Sequence, residues 1–251
     1  QLGLALHNYH DVYQTFPPGC VRRYQSGVNS WSTSMLTWLT RILPYIDQAS
    51  IANRVDWERE VGNGGANAAL RNTFVASFRC PSDSPRRPRN DYEPTNYVAC
   101  IGNSASGDSK LGIMGINTRH STAHITDGTS NTMAVSECLV GRPWVKRYGS
   151  DSGGFNSCLV GTAPPVTSNV GNEGRAFSWF FGQRNQAWTY STRLAPNDKA
   201  TQNHECELWT STGVFAARSS HVGGVHAFMA DGAVRFISEN INLNTWRALG
   251  S

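Results

Sequence analysis

The side chains of this 251-residue chain that could do chemistry are seven histidines, six cysteines and a thin set of carboxylates. His221 and Asp231 make the most tempting couple, because a histidine beside an aspartate can trade protons in acid–base work. Their spacing argues against it. A strand running from Gly224 to Asp231 would span roughly 23 Å, which puts the two groups at opposite ends of one strand. Asp231 then reads as a turn residue and His221 as a hydrogen-bonded loop residue, with Gly223 and Gly224 permitting a close backbone approach. His7 and His10 sit three apart and could share a metal, but packed or surface histidines are the plainer reading. His120 and His124 would face together only on a helix, which their stretch does not favour.

Asp127-Gly128-Thr129-Ser130-Asn131-Thr132 could be read as a calcium loop. Only Asp127 brings a charged oxygen, whereas calcium takes six to eight oxygens, so a compact turn entering a strand is preferred. No cofactor is expected, calcium at Asp127 being the one weak candidate. The chain has no Gly-x-Ser-x-Gly elbow, phosphate loop, HExxH or Rossmann fingerprint. No catalytic set emerges, and the expectation is a protein that is not an enzyme.

Six cysteines without a CxxC pair speak against a zinc ribbon or a thioredoxin-like motif and allow three disulfides in an oxidising compartment. Cys80 and Cys100 close a short loop, and a bond there would stabilise the fold by roughly 3 kcal/mol in the loop-entropy model. Cys158–Cys206 would tie down the tryptophan-rich middle of the chain, leaving Cys20–Cys138 by elimination. In that middle, Trp179, Trp188 and Trp209 lie among Asn, Gln and Arg. They could form a platform for stacking sugar rings, with core packing as the competing reading.

The elements that must position these groups follow from period and stop signals. Hydrophobic residues make up 39% of the chain and charged ones 16%, a folded and loop-rich composition, and the formal charge of +4 is too mild to suggest a nucleic-acid partner. Leu2, Leu6, Tyr9 and Tyr13 recur at helical spacing, widened by Leu4 and Val12, so residues 1–14 are predicted to be a helix that Pro17-Pro18-Gly19 stops. Met35 to Leu43 repeat the period until Pro44. Strands are expected at Val75–Phe78, Asn96–Ile101, Leu111–Ile116, Met133–Cys138 and Phe177–Phe181, and a short helix at Asn244–Leu249. Asp231-Gly232 between apolar runs predicts a two-residue hairpin turn. Pairing Ala230 with Ala233 would put Val225, Ala227, Met229, Val234 and Phe236 on the core face.

His221, nine residues, Asp231-Gly232 and the Val-x-Phe strand after them resemble the C-terminal signature of the large planctomycete prepilin-like family, whose members are processed as type IV pilin-like or pseudopilin-like proteins. Further matches are LALHNYHDVYQTFPPG (4–19), LPYIDQ (43–48), FRCPSD (78–83), NYVAC (96–100) and ITDGTSNTMAVSE (125–137). The resemblance implies an α+β fold, a pilin-like N-terminal helix packed on an antiparallel sheet with a large loop-rich insertion. It implies one soluble head domain over 1–251, in which 1–16 are the C-terminal half of a long helix, 141–218 a variable insertion and 219–238 the hairpin. A basic leader and a hydrophobic helix would precede Gln1, anchoring the precursor in a membrane. The expected function is a non-enzymatic subunit of a pilus-like or pseudopilus-like assembly, extracellular, on the cell surface or periplasmic, contacting other pilin-like subunits through that helix. The alternative is an extracellular module that binds a surface glycan or other solute through the insertion.

Overall fold

The computed structural model describes residues 1–22, 35–58, 66–84, 86–106, 109–142, 144–147, 153, 156–157, 170–171, 174–182, 185–199, 204–208 and 212–251. Helix α1 runs Leu2–Tyr13 and buries Leu2, Ala5, Leu6 and Tyr9. Leu4 and Val12, expected to widen that stripe, are 67% and 62% exposed. Gln14 stops the helix by turning left-handed, φ 57°, and its N–H donates to the carbonyl of His10. Gly3 lets α1 seat closely on the hairpin turn, since a Cβ there would come within 3.2 Å of the Gly232 carbonyl oxygen. The short helices α2 (Trp38–Ile42) and α3 (Ala49–Ala52) continue the same core, with Leu39, Ile42 and Ile51 buried.

A five-stranded sheet lies at the centre, in the order β11-β10-β4-β3-β7, formed by β3 (Tyr97–Cys100), β4 (Met133–Glu137), β7 (Thr189–Tyr190), β10 (Gly224–Met229) and β11 (Val234–Ser238). Its pairings are antiparallel except β3–β7, which is parallel. The architecture is therefore α+β. The sheet is antiparallel as expected except at that edge, where the parallel strand comes from the segment 141–218. That segment is not merely loop-rich: β5 (Trp144–Arg147), β6 (Val170–Gly171), β8 (His204–Leu208) and β9 (Thr212–Val214) form a second sheet, ordered β6-β5-β8-β9. A small ladder joins β1 (Cys20–Val21) to β2 (Leu36–Thr37). Helix α4 spans Ala66–Leu70, and α5 (Leu243–Ala248) is capped by the Asn242 side chain, which accepts from the N–H groups of Asn244 and Thr245. Among the described residues no helix is long and apolar enough to cross a membrane.

The hairpin forms where expected but with a different turn. Met229 accepts from the N–H of Gly232 at 3.0 Å and donates to the carbonyl of Ala233 at 2.8 Å, and only Gly232 of the two turn residues has positive φ, 86°. This is a type I turn closed by a glycine bulge, a three-residue loop rather than the two-residue one. The register moves by one residue, Phe228 facing Val234 and His226 facing Phe236. Val225, Ala227 and Met229 are buried as expected, whereas Val234 and Phe236 sit on the other face, 55% and 49% exposed.

Three expected strands are absent. Ala76–Phe78 is a 3-10 turn in which Phe78 N–H donates to the carbonyl of Val75. At Phe177–Phe181 the Ser178 hydroxyl accepts from the N–H groups of Phe180 and Phe181, a local bond that competes with a ladder. Residues 111–116 turn tightly because Gly112 packs on the backbone of Ile101 and Gly102, where a Cβ would fall 2.4 Å from the Gly102 nitrogen.

Candidate functional site

Three side chains converge where the central sheet meets two loops. Cys80 lies just after the 3-10 turn, in the turn that Asp83 N–H closes onto the Cys80 carbonyl. Its own N–H donates to Asn96 Oδ1 at 3.0 Å. Asn96 in turn donates to Asp83 Oδ2 at 2.6 Å and to the carbonyl of Cys138 at 2.9 Å, which locks this loop onto the β3 and β4 ends. Glu137 is the last residue of β4 and is buried. His221 stands in the turn that precedes β10, where Ser219 Oγ accepts its N–H.

His221 Nε2 lies 3.1 Å from Glu137 Oε1 and 3.9 Å from Cys80 Sγ. Glu137 Oε2 accepts the His226 N–H at 2.7 Å and lies 3.3 Å from His226 Nδ1. The two imidazoles meet edge to face, ring centroids 4.8 Å apart. Beside the cluster is a cleft of about 10 Å³ that Cys80, Glu137, Cys138 and Arg218 help to line. Burial together with the charges of Cys80 and Glu137 pushes the neighbouring Tyr97 hydroxyl up to about 12, so Tyr97 stays neutral. Among the described residues this is the one grouping of three donors of the His, Cys, Asp and Glu types close enough to share a metal ion.

The stretches that carried the family resemblance meet here. FRCPSD supplies Cys80 and Asp83, NYVAC supplies Asn96, the end of ITDGTSNTMAVSE supplies Glu137, and the C-terminal signature supplies His221. Asp231 stays away from His221, in the hairpin turn, and accepts the N–H of Ala233 at 2.9 Å. A Cβ on Gly224 would fall 2.1 Å from the Ile237 carbonyl oxygen, the expected close backbone approach, whereas Gly223 serves by its positive φ of 88°, with nothing within 4 Å of where its Cβ would stand. Glu137 was missed altogether, and Cys80 was assigned elsewhere. The available signal was that both lie in stretches sharing one resemblance.

Two of the expected disulfides are corrected. Cys80, Cys100, Cys20 and Cys138 form no disulfide among the described residues. Cys80 meets the start of β3 at Asn96, while Cys100 lies four residues along that strand, roughly 13 Å further. Burial pushes the Cys100 thiol up to about 11 and that of Cys138 up to about 12, which leaves both inert at neutral pH. Cys206 is disulfide-bonded, and Cys158, its expected partner, lies outside the described residues. Trp179 and Trp188 are fully buried and donate their indole N–H groups to the carbonyls of Thr73 and Gly182. They are core residues, not a stacking platform, and Trp209 lies outside the described residues. Asp127 is exposed and, among the described residues, belongs to no such group of donors. His120 and His124 do approach, ring centroids 5.8 Å apart, around a single 3-10 turn.

A larger cleft, about 770 Å³, opens beside α1 and shares no residue with the cluster. Its walls carry Tyr9, Tyr13, Arg22, Arg41 and Arg119. Burial raises the Tyr9 hydroxyl above its ordinary value, partly opposed by Arg41.

The chain is α+β, opens with a helix seated on the β10–β11 turn, and gathers four sequence signatures at one end of β4. The chain belongs to the family described as protein of unknown function DUF1559, SBP_bac_10, whose model matches residues 1–244. No curated protein and no solved structure matches it.

Proposed function

We propose that the chain is the soluble head of a non-enzymatic structural subunit in a type IV pilus-like or pseudopilus-like assembly at the cell surface. The observation that carries this reading is the seat of α1. Leu2, Ala5, Leu6 and Tyr9 are buried against the body, while Leu4 and Val12 remain exposed on the outer side. A helix held by one face can present its outer apolar residues to neighbouring copies. In this reading an upstream hydrophobic segment continues α1 as anchor and spine. Membranes from cells making the full precursor with Leu4→Cys and Val12→Cys should give an oxidised ladder of oligomers. A folded, membrane-bound protein that stays monomeric would count against it.

A second reading, a module that binds an anionic solute, is favoured by the arginine-lined cleft, whose volume suits a small molecule. Citrate retained by the same protein in equilibrium dialysis, lost in Arg41→Ala and unaccompanied by a ladder, would favour this second reading.

A further inference from the structure

The cluster at the end of β4 has the shape of a metal site rather than of a proton relay. In a nucleophile–histidine–carboxylate relay the imidazole uses opposite nitrogens for its two partners. Here one nitrogen, His221 Nε2, faces both Cys80 Sγ at 3.9 Å and Glu137 Oε1 at 3.1 Å, and all three atoms lie within 4.8 Å of one another. Tetrahedral zinc with ordinary bond lengths sets sulfur and nitrogen about 3.6 Å apart and nitrogen and oxygen about 3.4 Å apart. These two separations differ from the zinc values by only about 0.3 Å, and sulfur and oxygen lie within 4.8 Å of each other.

We propose that Cys80, Glu137 and His221 bind one Zn²⁺ ion through Sγ, Oε1 and Nε2, leaving a fourth position for water. On binding, the Cys80 S–H bond loses its proton to solvent and the sulfur keeps the electron pair as thiolate. Thiolate and carboxylate together cancel the charge of the dication, and the imidazole binds neutral. Mixed sulfur, nitrogen and oxygen donors suit zinc better than the hard cations calcium and magnesium.

Supporting bonds hold the donors in place. His226 engages Glu137 Oε2 through its backbone N–H at 2.7 Å and through Nδ1 at 3.3 Å, so Oε1 is turned into the cluster. Asn96 fixes the Cys80 backbone. The adjoining cleft of about 10 Å³ is of the size that holds one water molecule. The rival arrangement is a disulfide between Cys80 and Cys138, which line the same cleft.

The full chain, reduced and stripped of metal, is titrated with ZnCl₂ in a calorimeter while proton release is followed in buffers of different ionisation heat. One equivalent should bind with release of a proton. Cys80→Ser and His221→Ala should weaken binding at least 100-fold, and the positioning residue His226 should cost about 10–100-fold as His226→Ala, with the metal-free chain still melting in one cooperative transition. Cys80 is the one described free cysteine that is not buried. Its alkylation by iodoacetamide in the wild-type chain should therefore be blocked by zinc, a readout that needs no folded variant. Absence of binding, unchanged affinity in Cys80→Ser, alkylation indifferent to zinc, or a Cys80–Cys138 bond in protein from native membranes would each overturn the proposal.

Discussion

Gly232 shapes the hairpin turn through its backbone and Asp231 through its side chain. Gly232 holds φ 86°, and a Cβ there would lie 3.0 Å from the His7 ring on α1. Gly232→Val should therefore lower stability by at least about 1 kcal/mol from left-handed strain, with further loss as α1 is pushed off the turn. Asp231→Asn should melt close to wild type, because an amide oxygen can accept the Ala233 N–H as the carboxylate does. Thermal melting of both variants checks this, and a large drop in Asp231→Asn would mean that the charge itself matters. The dipeptide announced a turn here, yet the choice between a two- and a three-residue loop rests on bonds to Met229, whose strand is also held by β4. The cluster was illegible for a plainer reason. His221 is 84 residues from Glu137 and 141 from Cys80, and spacing rules find ligands only when they are neighbours in sequence.

Elements with a clear apolar pattern were legible: α1, β3, β4 and the hairpin strands lie where period and turn signals place them, with β11 one residue out of the expected register. The second sheet was not, because β6 and β9 have only two and three residues and β8 buries Glu205 and Glu207, so no apolar alternation marks it. Glu205, on β8, is fully buried between Arg175 and Arg218, with Arg175 Nε 2.8 Å from Oε2 and Arg218 Nε 2.9 Å from Oε1. Arg175 also donates to the carbonyls of Gln186 and Thr189 and lies over the Phe215 ring at 4.6 Å. Thr189 belongs to β7 of the central sheet, so the triad links the two sheets through a charge that water cannot screen. Glu205→Ala should cost about 3–5 kcal/mol, because two arginines lose their buried counter-charge. Replacing Arg175, Glu205 and Arg218 together by apolar residues of similar volume should cost much less. Urea unfolding of both variants measures the difference, and equal losses would show that the triad acts through packing alone.

Across the molecule the segment 141–218 is woven into the body rather than set upon it. It contributes β7, the parallel edge strand beside β3, and its Phe177, Trp179, Phe180 and Trp188 share one buried cluster with Leu6 of α1 and Val135 of β4. Thr95 N–H donates to the carbonyl of Ala176, and Arg218 N–H to that of Glu137, so the segment also frames the Cys80–Glu137–His221 cluster from both ends. A true insertion could be cut out with modest loss, since closing or opening a surface loop changes the entropy only slowly with its length. Here excision would remove at least three large buried aromatic side chains, each worth about 3–5 kcal/mol when truncated in a core, against a total stability of about 5–15 kcal/mol. A chain in which a short Gly-Ser linker replaces 141–218 should therefore fail to fold, with no cooperative melt and no sharp side-chain signals by NMR. A cooperative transition in that shortened chain would instead make the segment an independent unit and detach it from the single-domain reading.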